Sequence, residues 1–592
     1  MADWTDQDSD WELAPASPTA GGHKPSSGRE HPGGLDVRTV QASDAPAATW
    51  ALAAAAASLA LLVAWNVWRQ RLFFHDDAFI ELRYVRHLLT LGQPVWNPGE
   101  WVEGFTSVLH LLLVTGAAWL GQGHGLTLPD AAHAVNFTAF VLVLASGWGA
   151  LSQVHPQHPW PRLAGMSVLA ASAPLAIWSW GGLEAVLAAA WVGLGWWWWC
   201  RWARGENPAK ALRCWPVGLC MALAAATRPD TLLIPVGALL GELWLVRPIG
   251  LSRASVTEAR PRLLRWAALA LAILGPVMLT QTVILAARWS LYGDLAPNTF
   301  YAKVQGISVL HRLQTGAWYL LRTVPDVPAL LVIPILLWRM RTALRDPWLV
   351  RACAGAGLFV LGLWWLGGDH MAAGRFLVPV LPLLAMCTAR LWVRQAADSG
   401  ARRWLWLLLA ATLLSPLVRP GLKRDGAAWV GELVGHHMAL HWPAGSLVAL
   451  NTAGAPAYFS PGMRFIDMLG LNDWHIARRT ISTVNEPMQR LPGHAKGDGA
   501  YVLSREPDFI IAGYAEGQEV TQSSFFGDRE LARSAEFRRC YRLQRSQINW
   551  DAEHARYGSY PTQPMPFTYY QRVCPTRSQA EALSQVFMKP RS

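Results

Sequence analysis

The sequence predicts an α-helical polytopic membrane protein with a C-terminal extracytoplasmic α/β domain. Of the 592 residues, 52% are hydrophobic and 15% are charged, and the mean hydropathy is +0.19. This composition is too apolar for a soluble chain of this size. Apolar runs of roughly 17 to 25 residues, the length that crosses a bilayer, recur over residues 49–417, whereas 418–592 have an ordinary globular composition.

The segment before the first apolar run, residues 1–46, is predicted to be a disordered cytoplasmic N-terminus. It is rich in Asp, Ser, Pro and Gly and has few large aliphatic side chains from which to build a core. It also lacks the basic start and the short apolar stretch of a secretory signal peptide. The apolar run at 49–68 is therefore expected to be retained as the first membrane span.

A transmembrane domain of about eleven helices is predicted over 47–418. The spans after the first are expected at 107–121, 132–151, 163–180, 184–200, 214–247, 264–289, 325–338, 352–366, 375–392 and 404–418. The run at 214–247 is long for one helix, and Pro229 within it predicts a break at 227–230.

Positive charge sets the expected orientation of these spans. Arginines concentrate in the connections at 253–262, 339–345 and 390–403, which the positive-inside rule assigns to the cytoplasm. Alternation then places the first loop, the loops around Asp294 and Asp369, and the whole of 419–592 outside. Basic residues between 201 and 213 do not follow this pattern. Because membrane topology accounts for most of the net charge of +11, nucleic acid is not expected as a partner.

The C-terminal domain, residues 419–592, is predicted to contain a small sheet. Short apolar runs at 448–450, 501–503 and 509–511 are bounded by Gly, Pro or Asp, as buried strands are. Cys540 and Cys574 lie in this domain and are candidates for a disulfide if it is outside the cytoplasm. Two free thiols are the alternative. None of the seven cysteines has the spacing of a metal site.

Two adjacent carboxylates, Asp76 and Asp77, follow the first span within about ten residues. A carboxylate pair beside a membrane is costly to desolvate and repels itself, so it points to a base, a metal ligand or a proton carrier. The alternative is that the two aspartates lie at the start of an ordinary solvated loop. The residues from Asp76 onward have the spacing of a short amphipathic helix lying at the membrane interface, and a turn is expected at 97–100.

Arg83 and Arg86 lie on this predicted helix and would both be outside the cytoplasm, against the positive-inside rule. An anionic ligand would explain them, because arginine holds phosphate through bidentate, charge-assisted contacts. Arginines that reach lipid headgroups are the alternative. Three further polar strings, at 292–303, 367–376 and 467–475, fall on the same predicted face, and their acidic and basic side chains suggest a shared polar cavity.

These strings carry a resemblance to a known family. The relevant stretches are DDAFIELRYVRHLL at 76–89, NPGEWVEGFTS at 97–107, WSWGGLEA at 178–185, TRPD at 227–230, YGDLAPNTFYAK at 292–303, GGDHMAAGRF at 367–376 and NTAGAPAYFSPGMRFIDMLGLND at 451–473. Together they resemble bacterial GT-C membrane glycosyltransferases, and within these the subgroup of mycobacterial-type terminal β-(1→2)-arabinofuranosyltransferases. The transmembrane domain is accordingly expected to be GT-C-like, with the first external loop, residues 69–106, as its catalytic loop.

The resemblance implies a function in the cell envelope. It implies a polyprenyl-phosphate-linked sugar as donor, with arabinofuranose one candidate sugar, and a glycan, lipid or protein of the envelope as acceptor. It also implies inversion at the anomeric carbon and a site that faces the periplasm or outside from the inner (plasma) membrane. A multi-span transporter of envelope precursors is the alternative, because charges in or beside spans are also typical of transporters.

Roles can be suggested for individual residues on this basis. Asp76 is the first choice for the base, with Asp77 orienting the acceptor or holding a cation, and the reverse order is the alternative. The candidates for binding the donor phosphate are Arg83, Lys303, Arg375 and Arg228. The candidates for binding substrate are Glu103, Asp294, Asn298, Asp369, His370, Asp467, Asn472 and Asp473. A divalent cation is left open, because no ligand cluster is apparent in the sequence. The C-terminal domain is expected either to help bind the acceptor or to act as a stabilising lid.

Overall fold

The computed structural model describes residues 45–202, 211–246, 253–395, 399–557 and 563–579. Two units divide the chain, Met1–Ala51 and Leu52–Ser592, and all contacts reported below lie within the second. Residues 1–44 of the predicted disordered segment, and most of the basic connection at 201–213, lie outside the described residues.

The membrane part is built from helices. These are α1 (Ala45–Arg69), α2 (Asp76–Leu91), α3 (Val108–Gly121), α4 (Leu128–Val154), α5 (Pro159–Ala170), α6 (Ala173–Trp180), α7 (Ala185–Trp202), α8 (Trp215–Thr227), α9 (Leu233–Val246), α10 (Arg253–Tyr292), α11 (Asn298–Lys303), α12 (Val309–Thr323), α13 (Ala329–Arg339), α14 (Pro347–Leu366), α15 (Leu381–Arg394) and α16 (Ser399–Val418). Short 3₁₀ segments at Pro229–Leu232 and Ala372–Val380 lead into α9 and α15.

The prediction of a polytopic helical membrane protein is confirmed. Among the described residues, seven helical segments are long and apolar enough to cross a membrane, and the pair α5 and α6, bent by 48°, would make an eighth. The expected number of about eleven stays a prediction. Two of the expected spans correspond to α3 and α13, which have only 14 and 11 residues and therefore lengths of about 21 and 17 Å at 1.5 Å per residue.

The predicted break at 227–230 is confirmed. Helix α8 ends at Thr227, and Arg228 is extended, with φ −145° and ψ 111°. A residue before proline is driven out of the helical region by the proline ring, so Pro229 accounts for this conformation. The break turns the guanidinium of Arg228 into the protein, where it forms ion pairs with Glu184 and Asp230.

Helix α2, expected as an amphipathic helix at the membrane interface, packs largely against protein. Ten of its sixteen residues are buried, because α2 packs against α3, α4 and two helices of the C-terminal part. Its amphipathic pattern therefore reflects a protein core rather than a membrane surface. The turn expected at 97–100 is confirmed: the Glu100 N–H donates to the Asn97 carbonyl at 3.1 Å, and Gly99 adopts φ 83°, which favours glycine.

The C-terminal part contains seven α-helices and a five-stranded sheet among the described residues, so its prediction as an α/β unit is confirmed. The helices are α17 (Gly426–His441), α18 (Ala455–Phe459), α19 (Trp474–Arg478), α20 (Gly499–Ser504), α21 (Phe526–Arg533), α22 (Ala535–Cys540) and α23 (Ala552–Tyr557). The strands are β1 (Leu447–Leu450), β2 (Arg464–Asp467), β3 (Phe509–Ile511), β4 (Tyr541–Ile548) and β5 (Met565–Arg572).

The strand order is β2-β1-β3-β5-β4, with β1 parallel to β2 and β3 and with β5 antiparallel to β3 and β4. Side chains of a strand alternate between the two faces of the sheet. Val448 and Leu450 accordingly join the large core of the molecule, whereas Ala449 joins a second core within the C-terminal part. One face of the sheet is thereby packed against the helices that carry the site.

Two of the three expected strands correspond to β1 and β3, and the third is wrong. Residues 501–503 belong to α20, because the Asp498 side chain accepts the Tyr501 N–H at 2.9 Å and caps a helix start. Cys540, at the end of α22, forms a disulfide with Cys574, which lies beyond β5. This bond joins the ends of the β4–β5 hairpin.

Candidate functional site

A cavity of about 300 Å³ lies where the start of α2 meets the C-terminal part. Its polar lining comprises His75, Asp76, Asp77, Lys303, His370, Asp425, Asn451, Thr452 and His494, and Tyr514 lies at its wall. Its apolar lining includes Phe73, Ile80, Met371, Leu469, Leu471, Met488, Leu491 and Phe525. The cavity therefore combines apolar walls with a few convergent polar groups, as substrate sites do.

Asp76 is held by the C-terminal part. Its carboxylate accepts the N–H of Gly454 at 3.2 Å and that of Ala455 at 2.8 Å, and the side chain is buried. A Cβ atom at residue 454 would clash with the backbone oxygen of Asp76, so this close approach requires glycine. Asp76 thus fastens the loop after β1 to the start of α2.

Burial raises the pKa of Asp76 to about 8, and the charges of Asp425 and Asp77 act in the same direction, whereas the two amide N–H groups oppose them. A carboxyl group with this pKa is mostly protonated at neutral pH. Its two oxygens already accept the N–H groups of Gly454 and Ala455, so they are less free than those of Asp77 to take a proton from an acceptor hydroxyl.

Asp77 has the complementary properties. Its backbone N–H donates to His75 Nδ1 at 3.1 Å, which caps α2, while its carboxylate has no hydrogen-bond partner among the described residues. Burial alone would raise the pKa of Asp77, but His75, Lys303, His370 and Arg375 outweigh it, and the net effect lowers the pKa. Asp77 is therefore an ionised carboxylate of the cavity that has no hydrogen-bond partner among the described residues.

The positive charge near Asp77 comes from Lys303 and Arg375. Lys303 ends α11 and lines the cavity, and Arg375 donates from Nε to Asp369 Oδ2 at 3.0 Å. Burial lowers the pKa of His370 to about 3, helped by the adjacent His494, so this ring is uncharged at neutral pH. The rings of His370 and His494 meet edge to face at 4.5 Å.

The high pKa of Asp76 predicts how stability depends on pH. An unfolded Asp titrates near 3.9, so this group stabilises the fold fully below about pH 4, and its contribution is lost as the pH rises toward 8. We expect the melting temperature of the purified protein to fall by several degrees between pH 5 and pH 8, and Asp76→Asn to flatten that slope. Asp130→Asn is the control, because this exposed residue lies outside the cavity and does not act on the pKa of Asp76. Equal slopes in the wild type and Asp76→Asn would exclude this role for Asp76.

Arg83 does not face the cavity, which corrects its assignment to the donor phosphate. Its guanidinium is 0% exposed and donates to three backbone carbonyls, those of Trp96 at 2.7 Å, Met463 at 3.0 Å and Ala457. Arg86 donates to the Tyr458 carbonyl at 2.6 Å and lies 3.9 Å from the centre of the Tyr458 ring. Both arginines therefore fasten the C-terminal part to α2.

Arg228 is also less available to bind the donor phosphate than expected. It is buried, its Nη1 donates to Glu184 at 2.8 Å and its Nη2 to Asp230 at 2.6 Å, and it stacks on Phe376 at 4.0 Å from the ring centre. Its charge contributes to lowering the pKa of Asp369, so it lies behind the Asp369–Arg375 pair. It does not line the cavity.

Three expected substrate ligands in the membrane part make internal contacts instead. Glu103 forms an ion pair with Arg288 at 2.7 Å, and Asp294 forms one with Arg478 at 2.7 Å. The side-chain amide of Asn298 donates to three carbonyls at 470–473. These residues hold the loop at 292–298 against the C-terminal part, and none of the three lines the cavity.

The three expected ligands of the C-terminal part are likewise structural. Asp467 accepts the N–H groups of Leu469, Gly470 and Asn472 and so closes the turn after β2. The Asn472 side chain contacts Asp467 and the Tyr84 hydroxyl. Asp473 caps α19. Of the eight predicted substrate ligands, only His370 lines the cavity. Asp369 influences the cavity indirectly, because it accepts a hydrogen bond from Arg375, whose positive charge acts on Asp77.

Several lining residues were not singled out from the sequence. His75 immediately precedes the aspartates and could have been included with them. Asp425, Thr452, His494 and Tyr514 come from the C-terminal part. The only local signal is the polar loop at 451–454, which directly follows a buried strand of a partly parallel sheet, a position where ligands commonly bind.

A divalent cation was left open by the sequence. Among the residues that the structure describes, no group of three or more His, Cys, Asp or Glu side chains is placed to hold a metal ion. The described residues therefore offer no site in which three such side chains would hold a cation.

Comparison with known proteins agrees with the motifs. Over 414 residues the chain is 28% identical to the terminal β-(1→2)-arabinofuranosyltransferase of Mycobacterium tuberculosis (strain ATCC 25618 / H37Rv). The predicted resemblance is confirmed. The match covers 62% of this chain and 62% of that relative, so the chain spans less than two thirds of the relative's length. Residues 424–564 also match a family model described as a domain of unknown function, DUF8728.

Solved structures of membrane glycosyltransferases show a distant likeness. ArnT from Cupriavidus metallidurans in the apo state has a TM-score of 0.42 and 12% identity, covering 71% of this chain and 86% of that one. The arabinofuranosyltransferase AftD from Mycobacteria has a TM-score of 0.42 and 15% identity, covering 88% of this chain and 40% of that one.

Proposed function

We propose that the protein is an inverting membrane glycosyltransferase that moves a sugar from a polyprenyl-phosphate donor to an acceptor of the cell envelope. The observation that carries the proposal is the unoccupied carboxylate of Asp77 in a cavity that it shares with Lys303. A base for the incoming hydroxyl and a cation for the departing phosphate are the two groups that such a transfer needs.

Asp77 acts as the base. One of its carboxylate oxygens takes the proton of the acceptor hydroxyl as the hydroxyl oxygen attacks the anomeric carbon of the donor sugar. The bond from that carbon to the phosphate oxygen breaks in the same displacement, and the electron pair leaves with the phosphate. The products are the glycosylated acceptor, with inverted configuration, and a polyprenyl monophosphate.

Lys303 meets the charge that develops on the departing phosphate, and Arg375, which does not line the cavity, adds positive charge near Asp77. A fixed cation in a site partly shielded from water stabilises such charge without reorganisation. Arg375 is oriented by its ion pair with Asp369, and Lys303 is the cation whose side chain lies directly in the cavity wall. The neutral rings of His370 and His494 can donate or accept hydrogen bonds beside them.

The mycobacterial relative supports a finer proposal. Its arabinofuranosyltransferase activity favours an arabinofuranosyl group as the transferred sugar. We place the site on the periplasmic or outer face of the inner (plasma) membrane, because Asp76, Lys303 and His370 would all be external under the positive-inside rule. The acceptor is then a glycan, lipid or protein of the envelope.

Cells provide the first test. Lipid-linked sugars and envelope glycans are extracted from cells that lack the protein and from cells complemented with the wild type, Asp77→Asn or the control Asp130→Asn, whose residue is exposed and outside the cavity. We expect the deletion and Asp77→Asn to lose one glycan linkage and to accumulate a lipid-linked sugar. Full restoration by stably expressed Asp77→Asn would refute the mechanism, and an unchanged deletion strain would refute the activity.

Lys303→Met separates donor binding from folding. A hydrogen bond to a charged group contributes about 1.5–3 kcal/mol, so we expect the KM for the donor to rise roughly 10- to 100-fold. The measurement is the initial rate of polyprenyl phosphate release at a series of donor concentrations. Lys423→Met, at an exposed lysine outside the cavity lining, should leave that KM unchanged. An unaltered donor KM in Lys303→Met would remove Lys303 from the phosphate site.

A further inference from the structure

The two sides of the cavity differ in chemistry. The side near Asp77 carries the positive charges of Lys303 and Arg375. The side near Asp76 is formed by the loop after β1 and by the residue that precedes α17, and it carries a further carboxylate, Asp425. An anionic donor phosphate has its complement on the first side only, which leaves the second side for another ligand.

Asp425 and Thr452 present unoccupied polar groups on this second side. Asp425 is half-buried and is held in place by its backbone N–H, which donates to the Phe74 carbonyl at 3.2 Å. Although Asp425 precedes a helix, its carboxylate does not cap that helix. Neither this carboxylate nor the Thr452 hydroxyl has a hydrogen-bond partner within the described part of the chain, and both residues line the cavity.

Tyr514 adds an aromatic surface to the cavity lining. Its ring is 50% exposed, and it packs edge to face against Phe525, with the ring centres 5.6 Å apart. Its hydroxyl contacts the sulfur of Met488 at 3.7 Å, which fixes the ring at the wall. A carboxylate, a hydroxyl and an exposed ring around one space are complementary to a sugar, which has hydroxyl donors and an apolar face of C–H bonds.

We propose that Asp425, Thr452 and Tyr514 form the acceptor subsite and that the acceptor sugar they bind is neutral. This inference rests on the proposed glycosyltransferase function. The Asp425 carboxylate accepts hydrogen bonds from two sugar hydroxyls, Thr452 exchanges one with a third, and the Tyr514 ring supports the apolar face of the sugar. The hydroxyl to be glycosylated then points toward Asp77.

The expected neutrality of the acceptor sugar follows from the negative charges that border its subsite. Asp425 and Asp77 both border the space that the acceptor would occupy, and a carboxylate or phosphate on the acceptor would be repelled by them in a cavity where water screens charge poorly. An anionic acceptor would also compete with the donor for Lys303. We therefore expect discrimination of about tenfold or more against acidic acceptors.

Transfer assays with the purified full-length protein test this subsite. The donor is the radiolabelled lipid-linked sugar fraction from cells that lack the protein, and the acceptor is the envelope glycan of the same cells, separated by anion exchange into neutral and acidic fractions. The wild type should label the neutral fraction at least tenfold more. Equal or preferential labelling of the acidic fraction would overturn the proposal. No labelling and no release of polyprenyl phosphate would instead refute the glycosyltransferase function itself.

Single substitutions test whether Asp425, Thr452 and Tyr514 bind the acceptor. Asp425→Asn, Thr452→Val and Tyr514→Ala should each raise the acceptor KM about 5- to 50-fold while leaving the donor KM unchanged, and Asp425→Asn should also reduce the preference for the neutral fraction. Thr452→Ser, which keeps the hydroxyl, should restore the acceptor KM, and exposed Glu536→Gln is the control. Melting temperatures verify folding. Unchanged acceptor KM values in folded variants that remain active would overturn the subsite alone.

Discussion

Replacing Asp77 with Asn is expected to lower the rate of sugar transfer by about 10²- to 10⁴-fold, the usual contribution of a general base, and to leave the protein folded. The asparagine has nearly the same shape and no longer accepts the proton of the acceptor hydroxyl. The fold should lose only the attraction between the Asp77 charge and its cationic neighbours, because the carboxylate has no hydrogen-bond partner among the described residues. Initial rates and melting temperatures of the purified variant provide the measurement.

Asp76→Asn is the matched variant, and it should behave in the opposite way. Its side chain retains one acceptor oxygen where the carboxylate serves the N–H groups of both Gly454 and Ala455, so one buried amide is left unpaired at a cost of about 1–3 kcal/mol. We expect a lower melting temperature and a smaller loss of rate per folded molecule. If Asp76→Asn is the stable, inactive variant and Asp77→Asn the unstable, active one, the roles are reversed.

Arg83→Met is expected to destabilise the fold by about 3–5 kcal/mol, because three buried carbonyls lose their donor at once. Methionine fills a similar volume but donates no hydrogen bond. Since total stabilities are usually about 5–15 kcal/mol, much of the variant should fail to accumulate in the membrane. Yield in a monodisperse detergent peak and melting temperature measure this effect.

Arg86→Met is the control from the same helix. Arg86 donates to one carbonyl and stacks on one ring, so its loss should cost roughly 1–2 kcal/mol. A well-folded Arg83→Met with a raised donor KM would instead restore the phosphate-binding role that the sequence suggested for Arg83.

The arginines show what a single sequence can and cannot reveal. The predicted topology marked Arg83 and Arg86 as unusual. An unexpected buried charge has two explanations, however, an anionic ligand and a set of backbone carbonyls. Apart from that of Trp96, the carbonyls are contributed by residues at 457–463, more than 370 positions away. Charge patterns along the chain carry no information on such partners.

The sequence identified the carboxylate pair, but it could not show which role each of the two aspartates has. Asp76 and Asp77 are adjacent and identical in type, and they differ only in what faces them: amide donors in one case, and cationic side chains in the other. The polar strings around Asp294 and Asp467 were likewise recognised as special, yet they stabilise the junction rather than line the cavity. A motif that resembles a known family can mark a contact within the fold as readily as a ligand contact.

In the C-terminal part, the secondary structure was predicted well where burial determines it and poorly where a helix cap determines it. Strands β1 and β3 are continuous apolar runs at the centre of the sheet. Such runs can be recognised as buried strands from the sequence alone. Residues 501–503 are equally apolar, but Asp498 caps a helix there. The acceptor subsite was missed because its members lie on separate loops at 425, 452 and 514, which only the folded sheet brings together.

The anomeric configuration of the product tests the central claim most directly. The purified wild-type protein is supplied with a lipid-linked sugar donor and the acceptor fraction that it labels, and the new linkage is compared with that of the donor by nuclear magnetic resonance. Direct displacement with Asp77 as base predicts the opposite configuration in the product, with one polyprenyl phosphate released per sugar transferred. Retention of the donor configuration would require a covalent intermediate and would contradict the role assigned to Asp77.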